Sequence, residues 1–192
     1  MGKDDSTTRI LLASASPRRR ELLAQLGYTF DVAVPEIDET PLAGEKPRAF
    51  AERLAEEKAH AVAAEGLVIA ADTIVVHDGR ILGKPTDAAH ARQMLQALSG
   101  NEHEVLTAVC IRSRDHFAVF SVDTQVVFRK LEDAEIEAYV ATGEPMDKAG
   151  AYAIQGGAAH MVRSISGSYT NVVGLPLCEL HAALASLQAR YK

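Results

Sequence analysis

The amino-acid sequence predicts an α/β fold in which a mixed β-sheet is flanked by helices and split by a central cleft. Strand-like and helix-like segments alternate along the 192 residues, and this alternation is typical of α/β layering. Two long extended stretches, 104–112 and 117–128, look like paired antiparallel strands, so the sheet should be mixed. Hydrophobic residues make up 47% of the chain, which favours a packed core over disorder.

The first elements of the chain are a short buried strand at 10–13, a tight turn and a helix. Ser16 is a suitable N-cap, Pro17 suits the first helical position, and Gly27 suits the position after the helix end. The following elements are predicted in this order: an extended segment at 29–34, a polar loop at 35–47, a helix at 48–65 with Phe50, Leu54, Ala61 and Val62 on its inner face, and an apolar strand at 67–76.

A hairpin turn is predicted at Asp78-Gly79, because this pair favours a tight turn, here leading into residues 81–82. The elements after the hairpin are a helix at 88–98, the two long strands, a helix at 133–142, a glycine- and serine-rich segment at 147–176 with short apolar pieces, and an amphipathic helix at 177–188.

We expect a single domain over residues 9–192, built as two lobes around the cleft, with a short polar extension at 1–8. Neither a signal-peptide layout nor a membrane-length apolar run is present, so a cytoplasmic protein is expected. The formal charge of −6 argues against a nucleic-acid binder or an anionic-membrane binder. Cys110 and Cys178 lie in apolar stretches without C-x-x-C spacing and are expected to be two buried free thiols.

Three arginines, Arg18, Arg19 and Arg20, begin the first helix. Cations are unfavourable in the first turn of a helix unless an anion joins them. The free backbone N–H groups, the guanidiniums and the hydroxyls of Ser14 and Ser16 together suit a phosphate. The alternative is a solvated basic helix start. In an acidic protein, so local a cluster fits a small anionic ligand better than a polymer.

Asp72 interrupts the apolar strand at 67–76, where a charge is costly unless it is paired, hydrogen-bonded or bound to metal. It is either a functional carboxylate or a structural cap of a neighbouring loop. Lys84, held between Gly83 and Pro85, either reaches the cleft or is an ordinary turn lysine. Lys58 has the same two interpretations, because a lysine stem can simply cover apolar surface.

The loop at 35–47 carries three acids, Glu36, Asp38 and Glu39, whose oxygens suit Mg²⁺ or Mn²⁺. Gln155 lies beside glycines and can both donate to and accept from a polar ligand edge, although this segment can equally be a packed loop. The seven histidines are scattered and suggest neither a zinc site nor a Ser-His-Asp site.

Five segments, taken in order, resemble the Maf family of nucleoside triphosphate pyrophosphatases. They are Ser-Ala-Ser-Pro-Arg-Arg at 14–19, Ala-Asp-Thr at 71–73, Gly-Lys-Pro at 83–85, Asp-Lys-Ala-Gly-Ala-Tyr at 147–152 and Asn-Val-Val-Gly-Leu-Pro-Leu at 171–177. The resemblance implies a Maf/ITPase-like fold, a homodimer, and hydrolysis of a nucleoside triphosphate between its α- and β-phosphates with Mg²⁺ or Mn²⁺ as cofactor.

The resemblance also implies roles for particular residues. Asp72 corresponds to the proton acceptor and, with Glu39, to the metal-binding residues. Arg18, Lys58 and Lys84 would face the phosphates. The residues that bear on base choice would be Thr73, Gln155 and those of the opening loop, Ser14, Ser16 and Arg19.

The late segments look like the branch acting on dTTP and UTP. Gln155 would pair with the O4/N3 edge of uracil or thymine. The sequence departs from the family pattern at Ala70-Ala71, where a glycine is common, and at 157–160, where the difference affects base preference. Two alternatives remain open: the same hydrolysis of 7-methyl-GTP or another non-standard nucleotide, and a nucleotide-binding regulator of cell division without catalysis.

Overall fold

A computed structural model describes residues 9–190; the predicted extension at 1–8 and the last two residues lie outside the described range. Within that range, seven strands form one sheet: β1 (Ile10–Ala13), β2 (Phe30–Ala33), β3 (Leu67–His77), β4 (Arg80–Leu82), β5 (Glu102–Arg112), β6 (Phe117–Phe128) and β7 (Val162–Ser166). Six α-helices accompany them: α1 (Pro17–Gln25), α2 (Pro47–His60), α3 (Ala88–Leu98), α4 (Asp133–Ala141), α5 (Tyr169–Val173) and α6 (Leu177–Arg190).

The sheet is mixed, as predicted, and its strand order is β2-β1-β3-β5-β6-β7, with β4 paired to β3 off this path. β1 runs parallel to both β2 and β3, whereas the pairs β3–β5, β5–β6 and β6–β7 are antiparallel. Ala13, the last residue of β1, pairs with Ala70. β3 therefore continues past the carboxyl end of β1, and Asp72 lies just beyond that end.

Helices cover both faces of the sheet because the side chains of a strand alternate between its faces. On β3, Val68 and Ala70 belong to the core cluster that contains the apolar face of α2. Ile69 and Ala71 belong to the cluster that contains α1 and α6. A third cluster joins α3 and α4 to the far end of the sheet. This alternation decides which helix each polar residue of β3 meets.

The predicted helix at 48–65 is too long, since α2 ends at His60 and Ala61, expected on its inner face, is exposed. Arg112 donates from Nε to the carbonyl of Ala59 at 3.1 Å and from Nη2 to that of Val62 at 3.0 Å. These bonds satisfy carbonyls that a longer helix would use internally. The chain is thereby released to begin β3 alongside β1.

The segment at 147–176 contains more regular structure than the sequence indicated. It holds β7 and the five-residue helix α5, together with short 3₁₀ turns. β7 depends on pairing with β6, from Gln125↔Ser166 to Phe128↔Val162, so its hydrogen bonds are non-local. The prediction of two buried thiols is also wrong, because Cys110 is buried in β5 but Cys178 is exposed in the first turn of α6. Among the described residues, no helix combines the length and the apolar character needed to cross a bilayer.

Candidate active site

A cavity of about 650 Å³ opens at the carboxyl end of β1. The ten residues to which the family resemblance gives roles all line it: Ser14, Ser16, Arg18, Arg19, Glu39, Lys58, Asp72, Thr73, Lys84 and Gln155. Three other residues that the sequence offered as candidates do not line it. Arg20 points away at the exposed surface of α1, and Glu36 and Asp38 lie outside the lining, with Asp38 accepting from the backbone N–H of Thr40 at 2.9 Å.

The cavity is more cationic than the protein as a whole. Its lining carries five basic and three acidic side chains, although the formal charge of the chain is −6. The basic set adds one residue to those predicted, Lys148, which pairs with Asp147. A local positive excess in a concave site concentrates anions, and this one has that character.

Lys58 lies between two carboxylates at the floor of the cavity. Its Nζ is 2.6 Å from Oδ1 of Asp72 and 2.6 Å from Oε1 of Glu39. Lys58 and Asp72 are buried, with 8% and 7% of their surface exposed, whereas Glu39 is exposed. Asp72 shares the parity of Val68 and therefore faces α2, where Lys58 stands. Lys58 is thus a partner of the strand carboxylate rather than a lysine that covers apolar surface.

The exposed carboxylate of this trio is held in its ionised form. Partial burial raises the pKa of Glu39. The hydrogen bond and the charge of Lys58, with smaller contributions from Lys84 and Arg19, lower it by more, so the net pKa is below its usual value. Glu39 therefore stays negative while it contacts Lys58.

The loop that carries Glu39 is fixed by Arg53 of α2. Its Nε donates to Oε1 of Glu45 at 2.7 Å, and its Nη2 donates to the carbonyl of Thr40 at 3.2 Å. Hydrogen bonding from Arg53 lowers the pKa of Glu45 to about 2. Arg53 thus anchors the loop at two points that follow Glu39, the residue that reaches Lys58.

Arg19 faces the opposite side of β3 from Lys58. Its Nε donates to the carbonyl of Gly174 at 2.8 Å, and its Nη2 donates to Oγ1 of Thr73 at 2.9 Å. Burial lowers the pKa of Arg19, although the charge of Asp72 opposes that effect. Arg19 thereby ties α1 to β3 and to the chain between α5 and α6, and it forms a fixed positive wall of the cavity.

A chain of hydroxyls continues inward from Arg19. Thr107 of β5, which is fully buried, donates to the carbonyl of Asn171 at 3.0 Å. Its hydroxyl has one proton, so Thr73, at 2.9 Å, must donate to Thr107 while it accepts from Arg19. Sequence reasoning missed Thr107, and the signal available was a threonine within the apolar run of β5.

The opening turn before α1 is held by the two predicted serines. The Ser14 hydroxyl accepts from the backbone N–H of Ser16 at 3.1 Å, and the Ser16 hydroxyl is the N-cap that accepts from the N–H of Arg19 at 3.4 Å. On the other side, the backbone N–H of Gly150 donates to the carbonyl of Gly83 at 3.1 Å, next to Lys84. Both turns place their charged residues at the cavity.

Gln155 is exposed at the cavity and lies in a tight turn. Tyr139 of α4 and Glu144, just after α4, hold this turn by hydrogen bonds. Sequence reasoning also missed these two residues. The neighbouring Gly156-Gly157 pair was the only signal in the sequence, and it does not say what the glycines pack against.

The carboxylates of the cavity fit a divalent cation of a particular kind. Mg²⁺ often takes one or two protein carboxylates and completes its shell with ligand phosphates and water. Asp72 and Glu39 each use one oxygen for Lys58, and their remaining oxygens have the hard-donor chemistry that Mg²⁺ and Mn²⁺ prefer. Over residues 9–190, no group of three or more His, Cys, Asp or Glu side chains could hold a metal by itself. The donor set therefore suits a cation that binds together with an anionic ligand.

Comparisons with known proteins show the family of this chain. The family model described as Maf-like protein matches residues 9–187, so the chain belongs to the Maf family. A protein of Geobacter sulfurreducens named dTTP/UTP pyrophosphatase is 62% identical over 177 residues, covering 90% of this chain and 93% of that protein. A protein of Yersinia pestis with the same name is 51% identical over 187 residues, covering 95% of each chain. The Staphylococcus aureus Ham1 protein overlaps 62% of this chain and 71% of its own with a TM-score of 0.44 and 17% identity, values too low to support an argument.

Proposed function

We propose that this chain is a nucleoside triphosphate pyrophosphatase that hydrolyses dTTP and UTP to the nucleoside monophosphate and pyrophosphate. The observation that carries the proposal is the Asp72–Lys58–Glu39 trio at the floor of a cavity with excess positive charge. Such a cavity has the two things that phosphoanhydride hydrolysis needs: cations for the phosphate oxygens and a positioned carboxylate for the water. Relatives named dTTP/UTP pyrophosphatase support the choice of bases.

Substrate phosphates would be bound by the cationic side of the cavity. Arg18 and Lys84 line it, and neither side chain forms an ion pair with another of the described residues. Their charges neutralise the non-bridging oxygens and the pyrophosphate that leaves. The backbone N–H groups at the start of α1 add donors to the same region.

Asp72 would accept the proton of the attacking water. One of its oxygens is fixed by Lys58, which aligns the carboxylate, and its second oxygen accepts no hydrogen bond from residues 9–190. A carboxylate so oriented can take a proton from water placed opposite the leaving group. Once Asp72 has accepted the proton, the charge of Lys58 is still balanced by Glu39, to which it remains bonded.

Asp72 and Glu39 are also the residues that would hold Mg²⁺ or Mn²⁺. When bound, the cation neutralises phosphate charge and lowers the pKa of water in its shell. Residues of the chain would still orient the substrate, exclude bulk water and accept the proton.

The base would be recognised by Gln155, which lines the same cavity as the trio. Gln155 carries one acceptor and one donor group and suits the O4/N3 edge of uracil or thymine. Cytosine presents an amine where uracil presents O4, and an acceptor at N3 where uracil presents a donor. With the amide held in one orientation, both of its groups would then face like groups. Discrimination of this type comes from the unpaired polar group in the wrong complex.

The test is a panel of triphosphates assayed for pyrophosphate release with Mg²⁺ or Mn²⁺ and with a chelator. The panel comprises dTTP, UTP, CTP, ATP, GTP and 7-methyl-GTP. The proposal expects release from dTTP and UTP, weak release from CTP, and none with the chelator. Preference for 7-methyl-GTP would move the substrate to the other branch, and binding without release would favour a non-catalytic regulator.

Two further expectations stay predictions: a homodimer and a cytoplasmic location. Exposed Val32 and Val34, at and just after the edge strand β2, are candidates for a subunit contact, and sedimentation of the purified chain would test it.

A further inference from the structure

Gln155 occupies a tight turn whose two ends are fixed by side chains that do not line the cavity. The backbone N–H of Gly156 donates to the carbonyl of Ala153 at 3.0 Å, which closes a four-residue turn with Ile154 and Gln155 at its centre. The side chains of Ile154 and Gln155 line the cavity. The direction in which Gln155 points is therefore set by the orientation of this turn.

The first end of the turn is held by Tyr139, a buried residue of α4 with 5% of its surface exposed. Its hydroxyl accepts from the backbone N–H of Ala153 at 3.2 Å and donates to Oε1 of Glu144 at 3.0 Å. One hydroxyl thus connects the start of the turn to a carboxylate.

The second end of the turn is held by that same carboxylate. The backbone N–H of Gly157 donates to Oε1 and to Oε2 of Glu144, at 3.1 Å each. Tyr139 and Glu144 therefore hydrogen-bond the backbone before and after Ile154-Gln155, at Ala153 and Gly157, from outside the cavity.

Both glycines lie directly against these two side chains. A Cβ at Gly156 would lie 2.0 Å from Oε1 of Glu144, and the three nearest atoms to it all belong to that carboxylate. A Cβ at Gly157 would lie 3.1 Å from Cε2 of Tyr139. A side chain at either glycine would therefore collide with Glu144 or Tyr139. Close contact of this kind is expected if the turn must keep one position.

We infer that Tyr139 and Glu144 are positioning residues that hold the Gln155 turn and so set discrimination between uracil and cytosine. This inference rests on the proposed function, because it assumes that Gln155 reads the base. Neither residue lines the cavity. Losing either releases one end of the turn and lets the Gln155 amide adapt to both bases.

The principal variant is Tyr139→Phe, which keeps the ring in the core and removes only the hydroxyl. The ratio of kcat/KM for UTP to that for CTP should fall about fivefold, the equivalent of one hydrogen bond of about 1 kcal/mol. The change should lie in KM for UTP, with kcat nearly unchanged, because the trio is untouched. Glu144→Ala should act in the same direction, and Glu144→Gln should recover part of the loss because its amide oxygen still accepts.

A double-mutant cycle with Gln155→Ala separates positioning from general stability. If Tyr139 acts through Gln155, Tyr139→Phe has no further effect on the UTP/CTP ratio once Gln155 is alanine. An unchanged ratio in Tyr139→Phe, or the same loss in both backgrounds, overturns the inference. Matched controls are Glu137→Gln, an α4 carboxylate that pairs with Arg92 at the surface, and Tyr28→Phe, which packs in another cluster. Both should leave the ratio unchanged.

The same cycle measured by binding separates this inference from the proposed function. α,β-Imido analogues of UTP and CTP report the affinity ratio whether or not the chain hydrolyses anything. Absence of pyrophosphate release by the parent protein would contradict the proposed function alone. A parent affinity ratio that Tyr139→Phe does not lower would contradict the inference alone.

Discussion

Lys58 Nζ and Asp72 Oδ1 lie 2.6 Å apart in a site where both residues are almost fully buried. A buried pair gains little net stability, since desolvation offsets the attraction, but removing one partner leaves an uncompensated charge. Glu39, on an exposed loop, makes the second contact with the same nitrogen. The lysine therefore forms an ion pair with both carboxylates.

Substitution of Lys58→Met should reduce the free energy of unfolding by about 3 kcal/mol, because the Asp72 charge loses its buried partner. Urea unfolding at neutral pH measures it. In an Asp72→Asn background the same substitution should cost much less. Lys130→Met, at an exposed position, is the control and should have little effect. Equal costs for Lys58→Met in both backgrounds would show that the pair is not energetically coupled.

Thr107→Val should interrupt the hydroxyl chain from Arg19 to the Asn171 carbonyl. The side chains have nearly the same shape, so the loss is that of the hydrogen bonds of a buried hydroxyl, about 1–3 kcal/mol. Because Arg19 is anchored through Thr73, KM for UTP should also rise. Thr29→Val, at an exposed position, serves as the control. An unchanged free energy of unfolding and an unchanged KM would rule out a structural role for these hydroxyl hydrogen bonds.

Gly156→Ala should be destabilising, because the new methyl group would displace the Glu144 carboxylate from its bonds to the Tyr139 hydroxyl and the N–H of Gly157. The φ of Gly156 is −113°, outside the positive range that favours glycine, so the expected loss is assigned to the contact with Glu144. Glu144→Ala should relieve the defect, and the double variant should unfold at higher urea than Gly156→Ala alone. Additive losses in the two variants would contradict this explanation.

Buried His103 should make stability depend on pH. Burial, with a smaller contribution from the charge of His77, lowers its pKa from 6.5 to about 4. Between these values the unfolded chain binds a proton that the folded chain does not, so stability is lost as pH falls from 6.5 towards 4. The slope from this residue approaches about 1.4 kcal/mol per pH unit.

The control comparison for this pH effect is His103→Gln, which remains neutral and can still hydrogen-bond the Tyr152 hydroxyl that His103 contacts at 2.8 Å. The difference in unfolding free energy between parent and variant should change over pH 6.5–4 and stay flat above pH 7.5. Exposed His181→Gln should show no such difference. A parent–variant difference that is constant with pH would show that folding does not shift the pKa of His103 and would contradict this prediction.

Local signals in the sequence were sufficient for the elements that depend on neighbouring residues. The start of α1 follows from Ser16 and Pro17, which act within one turn. The hairpin follows from the Asp78-Gly79 pair, whose residue types tolerate the positive φ angles of 48° and 72° that the turn has. The end of α2 could not be predicted, because Arg112, about fifty residues away, caps its carbonyls. β7 was missed for the same reason, since β6 supplies its partners.

The candidate site divides in the same way. Asp72 could be recognised because a charge within an apolar strand requires compensation, but the partner could be identified only once α2 was packed on that face of β3. Arg19 was predicted as a ligand contact, and its Nε and Nη2 atoms prove to be bonded to the protein itself. Tyr139 and Glu144 could not be predicted, because their function depends on backbone groups 13 and 14 residues further along the chain.

Identification of the products of UTP and dTTP by ³¹P NMR with Mg²⁺ tests the central claim most directly. The parent protein should form the monophosphate and pyrophosphate in equal amounts, and Asp72→Asn should reduce kcat about 100-fold or more while remaining folded. Asp123→Asn, a surface residue paired with Arg48, should react as the parent does. A diphosphate with inorganic phosphate as products, or near-normal turnover by Asp72→Asn, would contradict the account.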